Sequence, residues 1–70
     1  MMSNLKANLR RNLKEIREER GLSQNQLRIK TGVDIWGVEN NKRTNVSLDT
    51  ITKLADALEV HPQDLLDDEE

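Results

Sequence analysis

Leu5, Leu9, Leu13 and Ile16 recur at spacings of four, four and three, the interval at which side chains return to one face of an α-helix. A segment with that pattern buries one stripe and leaves the rest to water, so it needs other helices to pack against. Ser3 or Asn4 can cap its start. Gly21 ends it, because glycine readily takes the left-handed backbone of a helix terminus, and Arg20 just before it suits the negative end of the helix dipole.

The same punctuation divides the rest of the chain. Ser23 is positioned to cap a second helix, with Gln26 three residues later completing a reciprocal capping box, Leu27 as core and Gly32 as the stop. A short third helix is expected from Asp34, as cap, through Ile35 and Val38 to about Asn40. The polar, basic stretch from Asn41 to Asn45 reads as a loop. Ser47 caps a fourth helix with the stripe Ile51, Leu54, Ala55 and Leu58, and with Leu48 at its start. His61-Pro62 opens a fifth, since proline is favoured in the first turn, and Leu65 and Leu66 give it something to bury. Trp36 is the sole aromatic residue and there is no cysteine, so the core is built of Leu, Ile and Val. No segment reads as a strand. The expectation is an all-α, compact bundle of five short helices forming one domain over residues 1–70, folded across 5–66 and ending in an acidic tail at 67–70.

Composition narrows the function. No apolar run approaches the roughly 20 residues that span a bilayer, and the amino terminus has no apolar signal segment. A cytoplasmic protein with no membrane partner is expected. Without cysteine, and with His61 as the single histidine, neither a thiol nucleophile nor a His/Cys metal set is available. The three glycines form no phosphate-cradling loop. The chain therefore reads as a non-enzyme, with no metal and no small-molecule cofactor. The net charge of -2 hides an asymmetry. Residues 1–43 carry ten basic side chains against five acidic ones, whereas the last seven hold Asp64, Asp67, Asp68, Glu69 and Glu70. The amino-terminal part can present a positive face to phosphate.

Several stretches, taken in order, resemble the Cro/C1-type (XRE-type) helix-turn-helix domains of phage repressors and bacterial regulators. They are Ile16-Arg17-Glu18-Glu19-Arg20-Gly21-Leu22-Ser23-Gln24, then Leu27, Gly32-Val33, Ile35 and Val38-Glu39-Asn40. Ser47-Leu48, Leu54 to Val60 and Pro62 to Leu66 complete the set. The segment from Lys42-Arg43 to Leu48 is similar more particularly to the controller proteins of restriction–modification systems. The resemblance implies a lambda-repressor-like fold whose second and third helices read DNA, the third lying in the major groove. It implies phosphate contacts from Gln24 at the start of helix two, Asn40 at the end of helix three, and Lys42 and Arg43 in the loop beyond. It also implies a structural ion pair between Arg17 and Glu39, which would orient helix three.

The chain departs from that pattern in the reading helix. Only Val33 and Asp34 separate Gly32 from Ile35, whereas family members usually have five residues there. About one turn is missing, where the family places its first base-reading side chains. A further reader position falls on Gly37, which has no side chain, and Trp36 takes a position that is commonly polar. Arg28 stands where the family prefers alanine. It implies either splayed helices two and three or a replacement contact to DNA. Trp36 has three readings: part of the core, an anchor for a partner, or a DNA contact.

The candidate interface is thus Gln24, Arg28, Asp34, Trp36, Gly37, Asn40, Lys42 and Arg43. The function implied is a transcriptional regulator of repressor type that binds double-stranded DNA as a homodimer. Losing two bidentate base contacts, each worth roughly 1–3 kcal/mol of discrimination, would remove much of its specificity. The alternative is a protein-interaction module, antitoxin-like or anti-regulator, that keeps the fold without base readout.

Overall fold

The computed structural model describes residues 5–40 and 46–68, and all regular secondary structure among these is helical. The order is α1 (Leu5–Glu19), α2 (Gln24–Thr31), α3 (Ile35–Glu39) and α4 (Leu48–Leu58), followed by a 3-10 turn at Pro62–Leu65. Four α-helices are thus present among the described residues rather than the five expected. The fifth element starts at Pro62 as anticipated but has only four residues, too few to establish α-helical hydrogen bonding over more than one turn. Asp64 fixes its start by accepting from the His61 backbone N–H at 3.0 Å.

The boundaries follow from side-chain and backbone caps. Ser23 Oγ accepts from the Gln26 amide at 3.0 Å, and Gln26 Oε1 accepts in return from the Ser23 amide at 2.7 Å. Gly32, at φ +75°, turns the chain out of α2. Asp34 Oδ1 accepts from the Gly37 amide at 3.0 Å and starts α3, and Ser47 Oγ accepts from the Thr50 amide at 3.1 Å and starts α4. The exit from α4 is different, because the left-handed residue there is Glu59, at φ 62°. Both the Glu59 and Val60 amides fold back onto α4, the latter onto the Ala55 carbonyl at 3.0 Å.

One core unites the elements. It consists of Leu9, Leu13, Leu27, Val33, Ile35, Val38, Ile51, Leu54, Ala55, Leu58 and Leu65, with Ile16 and Leu66 partly buried beside it. The stripe of α1 therefore works as read, except at Leu5, which is exposed along with Leu48. Leu5 stands at the start of α1, and its helical register alone could not reveal that it is exposed.

Residues 66–68 lie against α1. Asn8 Nδ2 donates to the Leu66 carbonyl at 3.1 Å and to Asp68 Oδ1 at 2.6 Å. The Asp67 carbonyl accepts from Arg11 Nη2 at 3.0 Å and from Asn12 Nδ2 at 2.8 Å. These contacts bring Asp67 and Asp68, at the start of the acidic stretch, against α1.

Candidate nucleic-acid interface

The α2–turn–α3 unit is held in place by one carboxylate. Glu39 is the last residue of α3 and is buried. Its two oxygens receive Arg17 of α1 in a fork, Nε to Oε2 at 2.7 Å and Nη2 to Oε1 at 3.1 Å. Arg17 also donates from Nη1 to the Leu22 carbonyl at 2.8 Å, in the turn before α2. Gln24, at the start of α2, donates from Nε2 to the same Glu39 Oε1 at 2.9 Å. Three helices therefore meet at Glu39. A planar guanidinium matches a carboxylate in two bonds at once, which fixes orientation as well as distance. The hydrogen bond from Arg17 to Glu39 raises the guanidinium's pKa above its ordinary value, against the lowering effect of burial; attraction to Glu39 and Glu18 adds to the rise.

Burial decides what α3 can present. Ile35, Gly37, Val38 and Glu39 are all buried, and Trp36 alone among its five residues is exposed, at 53 %. Gly37, which the sequence placed at a reader position, lies on the core side with its amide taken by Asp34. It has neither a side chain nor open surface to offer a base edge. Asp34 is exposed, but its carboxylate is engaged as the cap of α3. Asn40 is exposed at the other end, and both its backbone N–H and its side-chain Nδ2 donate to the Trp36 carbonyl, at 2.9 and 2.8 Å.

On α2, the Gln24 side-chain amide turns inward to Glu39, an arrangement that no local sequence signal announces. Arg28 is exposed and bonded within its own helix, Nη2 to Asn25 Oδ1 at 2.7 Å. It does not wedge between α2 and α3, which pack against each other. Ile29 beside it is exposed as well. Lys42 and Arg43 lie outside the described residues.

The chain matches the family model for the Cro/C1-type helix-turn-helix DNA-binding domain over residues 12–70. Among solved structures it is similar to the restriction–modification controller protein C.AhdI from Aeromonas hydrophila. The two are 41% identical with a TM-score of 0.78, covering 86% of this chain and 94% of that one. A hypothetical transcription factor, NHTF from Neisseria, is 38% identical with a TM-score of 0.82, covering 90% and 75% respectively. SinR, a master regulator for biofilm formation solved in complex with DNA, is 32% identical with a TM-score of 0.77, over 84% of this chain and 98% of that one. No curated protein sequence matches.

Proposed function

The chain belongs to the Cro/C1-type helix-turn-helix DNA-binding family, and from that premise we propose how it engages DNA. It is a DNA-binding transcriptional regulator. In this reading α3 enters the major groove with Trp36 foremost, and the start of α2 meets the phosphate backbone at Gln24. Asn40, Lys42 and Arg43 grip the backbone on the far side of the groove. Two copies act together on a two-fold operator in the cytoplasm, as a repressor. A single module of this size makes few contacts, and two-fold pairing doubles them.

One observation carries the reading: a carboxylate shared by three helices fixes α3 while α3 keeps one side outward. A groove-reading helix needs that combination of a rigid mount and an open face. The Gln24 side chain, engaged with Glu39 in the protein alone, keeps its carboxamide beside the start of α2. Its exchange of that bond for a phosphate oxygen is part of the proposal. No helix among the described residues is long and apolar enough to cross a membrane.

Salt titration of duplex binding tests it. If each protomer neutralises two phosphates through Lys42 and Arg43, a dimer should show a log–log slope of about -3.6. Substituting Lys42 and Arg43 together by Ala should reduce the slope towards zero and weaken binding to every sequence alike. Absence of duplex binding at low salt would overturn the reading.

A further inference from the structure

We propose that Trp36 is the base-reading side chain of this domain, and that it recognises thymine through its C5-methyl group. The inference rests on the DNA-binding reading above and adds what the site discriminates.

The argument starts from elimination within α3, where Trp36 alone is exposed. Any base contact by a side chain from within this helix falls to the indole. Its mount is firm. Ile35 before it and Val38 after it are core residues, and its carbonyl receives two hydrogen bonds from Asn40. An aromatic ring on a fixed backbone has only two side-chain torsions left to settle.

The chemistry of the ring then selects the base. Polar readout of guanine or adenine uses paired contacts from Arg, Lys, Asn or Gln. An indole has one N–H donor and no acceptor, so it cannot make those pairs. The major groove edge of a base pair has one apolar feature, the thymine methyl. A ring face laid against that methyl removes apolar surface from water on both partners. The Asp34 carboxylate beside it caps α3, and Asn40 at the far end is assigned to the phosphate backbone, so within α3 the base edge is left to the ring. Loss of the family's first reader turn therefore changes the mode of readout, from polar pairing to a methyl contact.

The experiment uses the full chain and a site enriched from random duplexes. Each thymine is replaced singly by deoxyuridine, which deletes only the methyl. Binding is followed by anisotropy and by the emission of Trp36, the sole tryptophan. Removal of a recognised methyl should weaken wild-type binding about fourfold, the equivalent of one buried carbon, at one or two positions per half-site. Trp36→Ala should abolish that difference at those positions while keeping the salt slope. Trp36→Phe, which retains an aromatic face, should keep most of it. Because the indole is half exposed, melting temperatures of the variants should stay close to wild type.

The proposal is overturned if wild type is indifferent to every thymine methyl, or if Trp36→Ala preserves the fourfold difference. It is also overturned if salt-sensitive binding enriches no sequence, or if Trp36→Ala loses a protein complex while its DNA preference is unchanged. These outcomes leave the phosphate-binding reading standing. That reading fails separately, when wild type binds no duplex at low salt.

Discussion

Helix α1 is fastened to the rest of the molecule by polar groups at both ends, and the two fastenings are built differently. At its carboxyl-terminal end Arg17 is buried and forks onto Glu39, itself buried, with Gln24 and the Leu22 carbonyl completing the set. Towards its amino-terminal end Asn8, Arg11 and Asn12 donate to main-chain carbonyls at residues 66 and 67. The first fastening joins two buried ions, while the second spreads over the buried Asn8 and over Arg11 and Asn12, whose acceptors are mostly backbone carbonyls. A buried ion pair adds little when whole, yet is very costly to halve. A clasp spread over several separate bonds degrades gradually. The end that orients the reading helix is therefore all-or-none, and the end that holds residues 66–68 is tolerant.

The strongest way to break that contrast is to remove one ion. Glu39→Ala or Arg17→Ala should lower stability by about 3–5 kcal/mol, because each leaves an uncompensated buried partner. In a domain this small that is a fall of more than about 10 °C in Tm, read by circular dichroism. Removing both ions together, as Arg17→Met with Glu39→Leu, should recover much of the stability. Duplex affinity should stay low in the double variant if the pair serves to orient α3. A single variant that melts within a few degrees of wild type would show the two ends to be alike.

Next in size is Asn8→Ala. Asn8 is buried, donates to the Leu66 carbonyl and Asp68, and accepts from Arg11. Its loss should cost about 1–2 kcal/mol, with no change in the salt slope of DNA binding. A change in DNA affinity larger than the stability loss explains would link the clasp to the reading helix.

These two fastenings were not equally legible in the sequence. Ser23 with Gln26, Gly32, Asp34 and Ser47 declare themselves because a cap bonds within three or four residues of its own position. The apolar stripes of α1 and α4 are legible for the same reason, since periodicity is local. The Arg17–Glu39 pair came from family resemblance, its partners being 22 residues apart. The clasp had no signature, because its acceptors are mostly backbone carbonyls, which every residue has. Side-chain direction was equally hidden at Gln24 and Gly37: the first faces Glu39 and the second faces the core. Composition and spacing place such residues on an element but do not say which way they point.

A smaller effect of opposite sign is expected where the turn after α1 meets the end of α4. Arg20 Nε donates to the Leu58 carbonyl at 2.9 Å, and the next residue, Glu59, holds the left-handed backbone. Side chains disfavour that conformation by roughly 1–2 kcal/mol, and glycine avoids the penalty at some entropic cost. Glu59→Gly should therefore raise stability by up to about 1 kcal/mol, visible as a few degrees in Tm. A loss would mean that the Glu59 side chain contributes more than its backbone strain removes.

The smallest effect belongs to Asn12→Ala, which removes one exposed bond to the Asp67 carbonyl. The carbonyl keeps Arg11 Nη2 as a second donor at 3.0 Å, so no buried group is left bare. The cost should be about 0.5 kcal/mol or less, at the low end for a hydrogen bond in solvent reach. The bond is neutral on both sides, so the small difference from wild type should not change between low and high salt. Screening acts on charges. If the Asn12→Ala difference shrank markedly as salt rose, then attraction between the basic face of α1 and the carboxylates at 67 and 68 would be holding this end. The contrast between an end held by one ion pair and an end held by bonds to backbone carbonyls would then disappear.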